Sequence, residues 1–447
     1  MGSVLQTPAP SLSALQELQK SYALATLSGG IWVVDLQDVA AVQAGSAREI
    51  HFFRLGEGDV LLARHLEALP ISSDAKVTIK QFRISPNTKM FNSLAFSPLP
   101  TPPTTLNLWV GTTVQPHPGD WTVLKEFMLG TICSGIQADY DYLISFMGHM
   151  LLKPEQKPGV MIVLLGGQGT GKGTFCRVVS KLWPRTTLQV SNVDHVVGGF
   201  NGALERNYAI IMDEALFSGD RKAADRLKSL ITEGEITVEQ KHQPRRSMQS
   251  FHRFFATSNH AHFAAVDPDD RRFMFLRVSD RHKGDFEYWD RVNAALDDPQ
   301  VISAMAHDLM GLNLSTYNPR DRPKTPEHMR QKLKSLVGFE RYWLEVLQGG
   351  DFCPGDGFSP LEPWEAEQFV STEKLSIGLK TYNTSVRQYA PLQQREIHDA
   401  LRKVCPSAQS ERRKVNGCQQ RGYGLPSLSV ARVEFEGFMG GAIDWNN

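Results

Sequence analysis

Lys172 is the side chain with the most chemistry arranged around it. Gly166, Gly167, Gln168, Gly169, Thr170 and Gly171 precede it, and Gly173 and Thr174 follow. The spacing G-x-x-x-x-G-K suits a loop whose glycines let successive backbone N–H groups face a polyphosphate, where a Cβ would obstruct the turn. Lys172 adds a point charge for the β- and γ-phosphates, and a helix opening here presents its positive N-terminal end. Ahead of the loop, Val160 to Leu165 is an apolar, β-branched run that reads as a buried parallel strand. A chance lysine behind a glycine-rich turn does not bring strand, loop and helix in that order. The hydroxyl arrives one place late, at Thr174 rather than 173, which leaves the Mg²⁺ ligand open between Thr174 and a water.

A second apolar strand, residues 208–212 (YAIIM), ends in Asp213 and Glu214, 41 residues beyond Lys172. A buried strand can deliver one carboxylate to the Mg²⁺ sphere and the next to the attacking water. A third run, residues 254–257, ends in Ser258-Asn259, where the Asn amide could bond a γ-phosphate or that water. His260 and His262 flank it, but no Cys or third His accompanies them, so they read as loop. Arg271 and Arg272 follow in DPDDRRF, residues 267–273. An arginine there could serve a nucleotide held by a neighbouring subunit. Asp35 and Asp38 in VVDLQD are three apart and do not share a face of a strand; they read as a surface strand end.

Between the second and third strands, Arg221 to Ile231 reads as a helix and residues 235–240 (EITVEQ) alternate as a strand. Residues 241–246 interrupt that alternation, and an extended pattern resumes from Ser247 to Phe255. The reading is a β-hairpin with a basic tip carrying Lys241, His242, Arg245 and Arg246, with Arg253 on its return. A solvated turn usually mixes charge signs; charge of one sign favours phosphate contact and marks the tip as a DNA-binding candidate.

The chain has 447 residues, room for two or three domains, with 21% charged and 41% hydrophobic residues and no net charge. That excludes a globally basic nucleic-acid binder, so any such contact must be local. Five cysteines (133, 176, 353, 405, 418) show no C-x-x-C pair, which points to reduced thiols and no zinc site. No apolar run spans a membrane and no signal peptide is visible, so a soluble, cytoplasmic protein is expected. Residues 1–12 are Pro/Ser-rich and expected to be disordered or added to the natural chain. Ser13 reads as the cap of a helix to Leu27, followed by strands Ile31–Leu36 and Ile50–Leu55. Asp120 to Met150 reads as mostly helical. Beyond the core, Phe286–Asn313 reads as helical, as do Thr372–Tyr382 and Gln393–Val404, with strand-like stretches over Gly422–Phe435.

Taken together, these motifs resemble a superfamily 3 helicase, and more closely the helicase half of phage and prophage primase-helicases, the branch that includes the poxvirus primase-helicase. The resemblance extends to residues 106–111 (LNLWVG), 119–121, 198–201, 270–273, 323–336 (PKTPEHMRQKLKSL) and 422–436, and so covers roughly residues 90–440. It implies an α/β fold: a P-loop NTPase core of AAA+-like type, a mixed N-terminal region and a C-terminal winged-helix-like module. The expected divisions are 13–105 (accessory), 106–158 (helical lead-in), 159–280 (ATPase core), 281–337 (helical extension) and 338–447 (winged-helix-like). The long members carry a primase-polymerase upstream; its acidic motifs are not seen here, so priming is not inferred, and such a partner is left open in cis or in trans.

The function implied is an ATP- and Mg²⁺-dependent DNA helicase that forms a ring, a hexamer by resemblance, and moves 3′ to 5′ on single-stranded DNA at replication forks. Its setting would be phage, prophage or mobile-element replication in a bacterial cytoplasm. In this reading Lys172 and the Gly166–Thr174 backbone hold phosphate, Thr174 and Asp213 hold Mg²⁺, and Glu214 is the general base. Asn259 senses the γ-phosphate, Arg271 or Arg272 acts in trans, and Lys241 and His242 grip DNA. Arg402, Lys403, Arg412, Arg413, Lys414 and Arg421 also make the C-terminal segment locally basic, as a fork contact or a solvated face. Two other functions compete: a replication initiator that uses ATP as an assembly switch, and a small-molecule kinase, since nucleoside monophosphate kinases share G-K-G-T. The kinase reading leaves Asn259 and the hairpin unexplained.

Overall fold

The computed structural model describes residues 13–27, 29–44, 46, 50–71, 73–215, 217, 221–239, 245–260, 262–264, 266–267, 269–352, 364–386, 394–415 and 417–445. Its centre is a five-stranded sheet, here numbered in chain order: β1 (Met161–Leu165), β2 (Thr187–Val190), β3 (Ala209–Met212), β4 (Arg253–Ser258) and β5 (Phe273–Arg277). The spatial order is β5-β1-β4-β3-β2, and every neighbouring pair is parallel. Helices cover both faces, which is why β1, β3 and β4 are buried along their whole length and β1 and β3 are apolar without alternation. One face packs Phe146, Phe175 and Phe255 together; the other packs Val163, Phe254, Phe263 and Phe275.

This strand order positions the site. β4 is inserted between β1 and β3, so the residues that follow it stand between the loop after β1 and the carboxylates after β3. All three C-terminal ends open on the same edge of the sheet, where ligands of open α/β sheets bind.

The N-terminal region departs from its expected elements. The helix is capped by Ser13, which accepts from Gln16 N at 3.3 Å, but it ends at Ser21. Residues Tyr22–Leu27 form a strand instead, paired antiparallel with Gly30–Asp35 through Leu27↔Gly30. The turn is made with Gly29 at φ +80°, and pairing with buried Ala23, Leu24 and Ala25 outweighs helix propensity. Asp35 and Asp38 have structural partners: Asp35 caps the helix Leu36–Gln43, and Asp38 lies 2.8 Å from His51 Nδ1. The helical lead-in runs from Thr122–Glu126 directly into a π-helical Phe127–Ile132 and is broken from Gln137–Leu152 by Ser134 and Gly135 at positive φ.

The hairpin is present: Glu235–Val238 pairs antiparallel with Arg246–Gln249, register Val238↔Arg246. Lys241 and His242 at its tip lie outside the described residues. At the C-terminus, helices Gly338–Gly349, Thr372–Ser385 and Gln394–Val404 surround an antiparallel sheet of Gln368–Ser371, Cys418–Leu425 and Gln409–Val415. The strand expected to run on to Phe435 stops at Leu425. Leu428–Met439 is a helix, because Ala431, Phe435 and Met439 recur every fourth residue and bury one face.

Candidate nucleotide-binding site

The loop after β1 is pinned in a shape that only glycine adopts easily. Gly169 and Gly171 have φ +76° and +98°, and Gly171 is the N-cap of helix Lys172–Leu182. A Cβ on Gly171 would lie 2.4 Å from Trp289 Cη2 and 3.2 Å from Phe127 Cε2, so two aromatic rings press the loop from outside. Thr170 ties the turn internally, its hydroxyl donating to Gly167 O at 2.9 Å.

Lys172, first residue of that helix, is buried at 7% exposure. Its ammonium donates to Gly166 O (2.9 Å), Gly167 O (2.6 Å) and Asn259 Oδ1 (2.7 Å), which occupies all three of its donors. Burial pulls its pKa down, opposed by the nearby carboxylates of Asp213 and Glu214. Asn259 Nδ2 reaches Glu214 Oε1 at 3.4 Å, so one amide links the lysine to the candidate base.

Thr257, two residues earlier on β4, organises the acidic side. Its hydroxyl donates to Asp213 Oδ1 at 2.5 Å and accepts from the Glu214 backbone N–H at 3.0 Å. Glu214 takes φ +52°, unusual for a residue with a side chain. Gln189 Nε2 holds the other Asp213 oxygen at 3.1 Å. Asp213 is thus oriented by neutral donors, and among the described residues no cation pairs with it. A carboxylate without an ion-pair partner, in the same cleft as Thr174, suits Mg²⁺, which takes one or two carboxylates and fills its other positions with water and phosphate oxygens. Among the described residues there is no larger His/Cys/Asp/Glu cluster.

These groups line a cleft of about 410 Å³ that includes Gln168–Thr174, Asp213, Glu214, Thr257 and Asn259. Trp289 and Asn293, one turn apart on the helix Phe286–Asp297, close its outer side. Asn293 Oδ1 accepts from Arg177 at 2.8 Å, which leaves its amide donors unused by that bond. Sequence reasoning missed Thr257, Gln189, Trp289 and Asn293. Only Thr257 carried a signal, since it shares a strand face with Asn259 at i, i+2.

Arg271 and Arg272 are not in this cleft. Arg272 O accepts from Met161 N, which places both at the N-terminal ends of β1 and β5, a five-residue strand of about 16 Å from the cleft. Arg272 is paired with Asp270 (3.2 Å), whereas Arg271 is exposed. On the hairpin, Arg245 pairs with Glu239 (2.7 Å) and Arg246 with Glu205 (2.5 Å). Arg253 does not belong to a basic hairpin surface: it is fully buried, and its guanidinium caps the carbonyls of Phe251, Lys153 and Gln156.

In the C-terminal sheet, Arg412 stands directly opposite Arg421, with Arg413 and Lys414 exposed beside them. Like charges facing each other across a ladder are unfavourable unless something anionic meets them.

The family model described as "Family of unknown function (DUF5906)" matches residues 164–272, from the end of β1 to the residue before β5. No curated protein matches the chain. Among solved structures, the apo structure of the NrS-1 C terminal region (305-718) superposes with a TM-score of 0.65 at 13% identity, covering 93% of this chain and 100% of that one. Two A form apo structures of the same region give 0.63 at 12% identity and 0.62 at 13%, each covering 92% of this chain and 98% or 99% of the other. The likeness is one of fold, and it runs through nearly the whole chain.

Proposed function

We propose that the chain is a P-loop ATPase that works as a ring-forming DNA helicase in phage, prophage or mobile-element replication. The observation that carries the reading is the convergence of Lys172, Asp213, Glu214 and Asn259 on one cleft at the strand ends. In this mechanism Lys172 exchanges its loop carbonyls for β- and γ-phosphate oxygens of ATP. Glu214 takes a proton from the water that attacks the γ-phosphorus; the new P–O bond forms as the bridging bond to ADP breaks. Thr174 and Asp213 would hold Mg²⁺, which when bound neutralises charge on the phosphate oxygens. Asn259 positions the lysine and the base relative to each other.

Arg271 is too far from its own chain's cleft, so its role would be in trans, which a ring supplies. The hairpin lies in the chain between β3 and β4, whose C-terminal ends carry Asp213, Glu214 and Asn259, so Lys241 and His242 would move with nucleotide state while holding single-stranded DNA. The C-terminal module fits a winged-helix reading, with Arg412 and Arg421 on the hairpin that would meet a duplex. Hexameric assembly and 3′ to 5′ movement belong to the same proposal through the family resemblance.

The test measures ATP turnover with and without single-stranded DNA, together with strand displacement. DNA-stimulated turnover and ATP-dependent displacement are expected, both lost in Glu214→Gln while ATP still binds. Turnover without displacement would turn the reading toward an ATP-switched assembly. No ATP binding at all would overturn it.

A further inference from the structure

A second charged cavity lies at the other end of the sheet. It holds about 660 Å³, between Asp269–Arg271 ahead of β5, residues 320–333 and the residues after helix Leu428–Met439. Arg271, Arg320, Arg322, Lys324, Arg330 and Lys332 line it, against three acids, Asp269, Asp270 and Asp444. Asp270 is already committed to Arg272 at 3.2 Å, so the cavity keeps a cationic excess.

Arg330 pairs with Glu327 at 3.6 Å, whereas Arg322, Lys324 and Lys332 are held by backbone carbonyls. Lys332, 8% exposed, donates to Met439 O at 3.1 Å; Lys324 donates to Gly440 O at 3.2 Å. Arg322 donates to Asp270 O at 2.5 Å. Among the described residues, none of Arg320, Arg322, Lys324 and Lys332 forms an ion pair with a carboxylate. His328 Nε2, 3.2 Å from Arg322 Nη2, can only accept from a guanidinium, so the imidazole is neutral. Burial and the cations Arg322 and Lys332 press its pKa down to about 3. Burial, then Arg322, likewise lowers the pKa of Lys332.

Asp270 offsets part of the charge on Arg322, and Asp270 with Asp269 part of that on Lys332, but the cations outnumber the acids beside them. Buried cations in excess are costly, and structures that keep them usually complete them with an anion. Forked guanidinium donors beside ammonium point charges suit phosphate oxygens. We propose that this cavity is a phosphate-binding site, separate from the nucleotide cleft, that joins the sheet edge to the C-terminal module. Its ligand is a phosphate group, carried either by a free polyphosphate or by a nucleic-acid backbone.

The test uses the full chain and tripolyphosphate as the probe, by titration calorimetry. Lys172→Ala weakens the cleft, so any tight binding that survives belongs elsewhere. One surviving site is expected, and adding Lys332→Met should weaken it by about 10- to 100-fold, the loss of one charged hydrogen bond. Lys324→Met, at an exposed position where the fold loses only the bond to Gly440 O, should weaken it several-fold and decides the matter if Lys332→Met fails to fold. A parallel arm replaces tripolyphosphate with single-stranded oligothymidylate. A loss confined to the first probe assigns a free polyphosphate; a loss that includes the second assigns a nucleic-acid backbone. If Lys172→Ala binds neither probe, or if both bind it unchanged by the Lys324 and Lys332 substitutions, the site does not exist.

Discussion

Asn259 Oδ1 accepts a hydrogen bond from Lys172 Nζ at 2.7 Å, while the same amide's Nδ2 reaches Glu214. The lysine can therefore turn to a phosphate only by giving up a present acceptor, and releasing Asn259 changes what holds the glutamate. Asn259→Ala is expected to leave ATP affinity within a few-fold and slow turnover by about 10²-fold, within the usual span for a mispositioned base. Asn259→Asp puts an anion against Lys172 that competes with phosphate, so ATP should bind about tenfold more weakly. Calorimetry with single-turnover hydrolysis separates the two effects. Normal turnover in Asn259→Ala would remove the residue from catalysis.

Thr257→Val keeps the shape of a buried side chain and deletes its hydroxyl. The Glu214 N–H and one Asp213 oxygen each lose a partner, at a local cost of about 1–3 kcal/mol. Turnover should fall by roughly 10- to 100-fold, with a smaller change in ATP affinity. Kinetics matching the parent protein would reduce Thr257 to a packing role.

Trp289 lies against Gly171 on the outside of the glycine loop, so its indole should report on ligand entry. ATP titration is expected to change tryptophan fluorescence, and Trp289→Phe should remove that change while binding persists. Gly171→Ala should abolish binding, because its Cβ meets the indole at 2.4 Å on a backbone of φ +98°. A full fluorescence response in Trp289→Phe would assign the signal to another of the eight tryptophans.

Arg271 and Arg272 separate by their partners. Arg272 is tied to Asp270 within its own chain, so Arg272→Ala should mainly lower stability. Arg271→Ala should bind ATP and lose hydrolysis by about 10³-fold or more. Mixing it with Lys172→Ala subunits should recover part of the turnover, because some interfaces then pair an intact loop with an intact arginine. Mixed assemblies that form and stay inactive would rule out action in trans.

Asp139 offers a pH test independent of nucleotide. Burial in the first turn of helix Gln137–Leu152 raises its pKa from 3.8 to about 6. The folded state then holds the proton more tightly, so this contribution to stability is complete below pH 4 and lost as pH rises through 6. Above that range the fold carries a buried carboxylate, at a cost of up to about 3 kcal/mol. Asp139→Asn should therefore be more stable than the parent at pH 8 and lose that advantage at pH 4, as read by urea melts. An equal difference at both pH values would show that titration of Asp139 is not the cause.

Local order makes the glycine loop ahead of Lys172 legible in the sequence as a candidate phosphate loop. A glycine that must take positive φ, a lysine behind it and a strand ahead of it are neighbours in the chain, and their roles need no distant partner. The same holds for Asp213-Glu214 behind an apolar run and for Ser13 as a helix cap. What the chain alone could not decide was which strands lie side by side. The insertion of β4 between β1 and β3 turns Thr257 and Asn259 into the link between Lys172 and the two carboxylates, and that order comes from burying both faces of the sheet. Tyr22–Leu27 pairs as a strand despite its helix-compatible composition, because its partners lie across a tight turn. Arg253 looked like surface charge, yet packing puts it under the carbonyls of a turn a hundred residues away. Trp289 reaches the loop only because the helix that carries it folds back over Gly171. Residue type and spacing determined what chemistry was available; long-range packing determined which groups could share it.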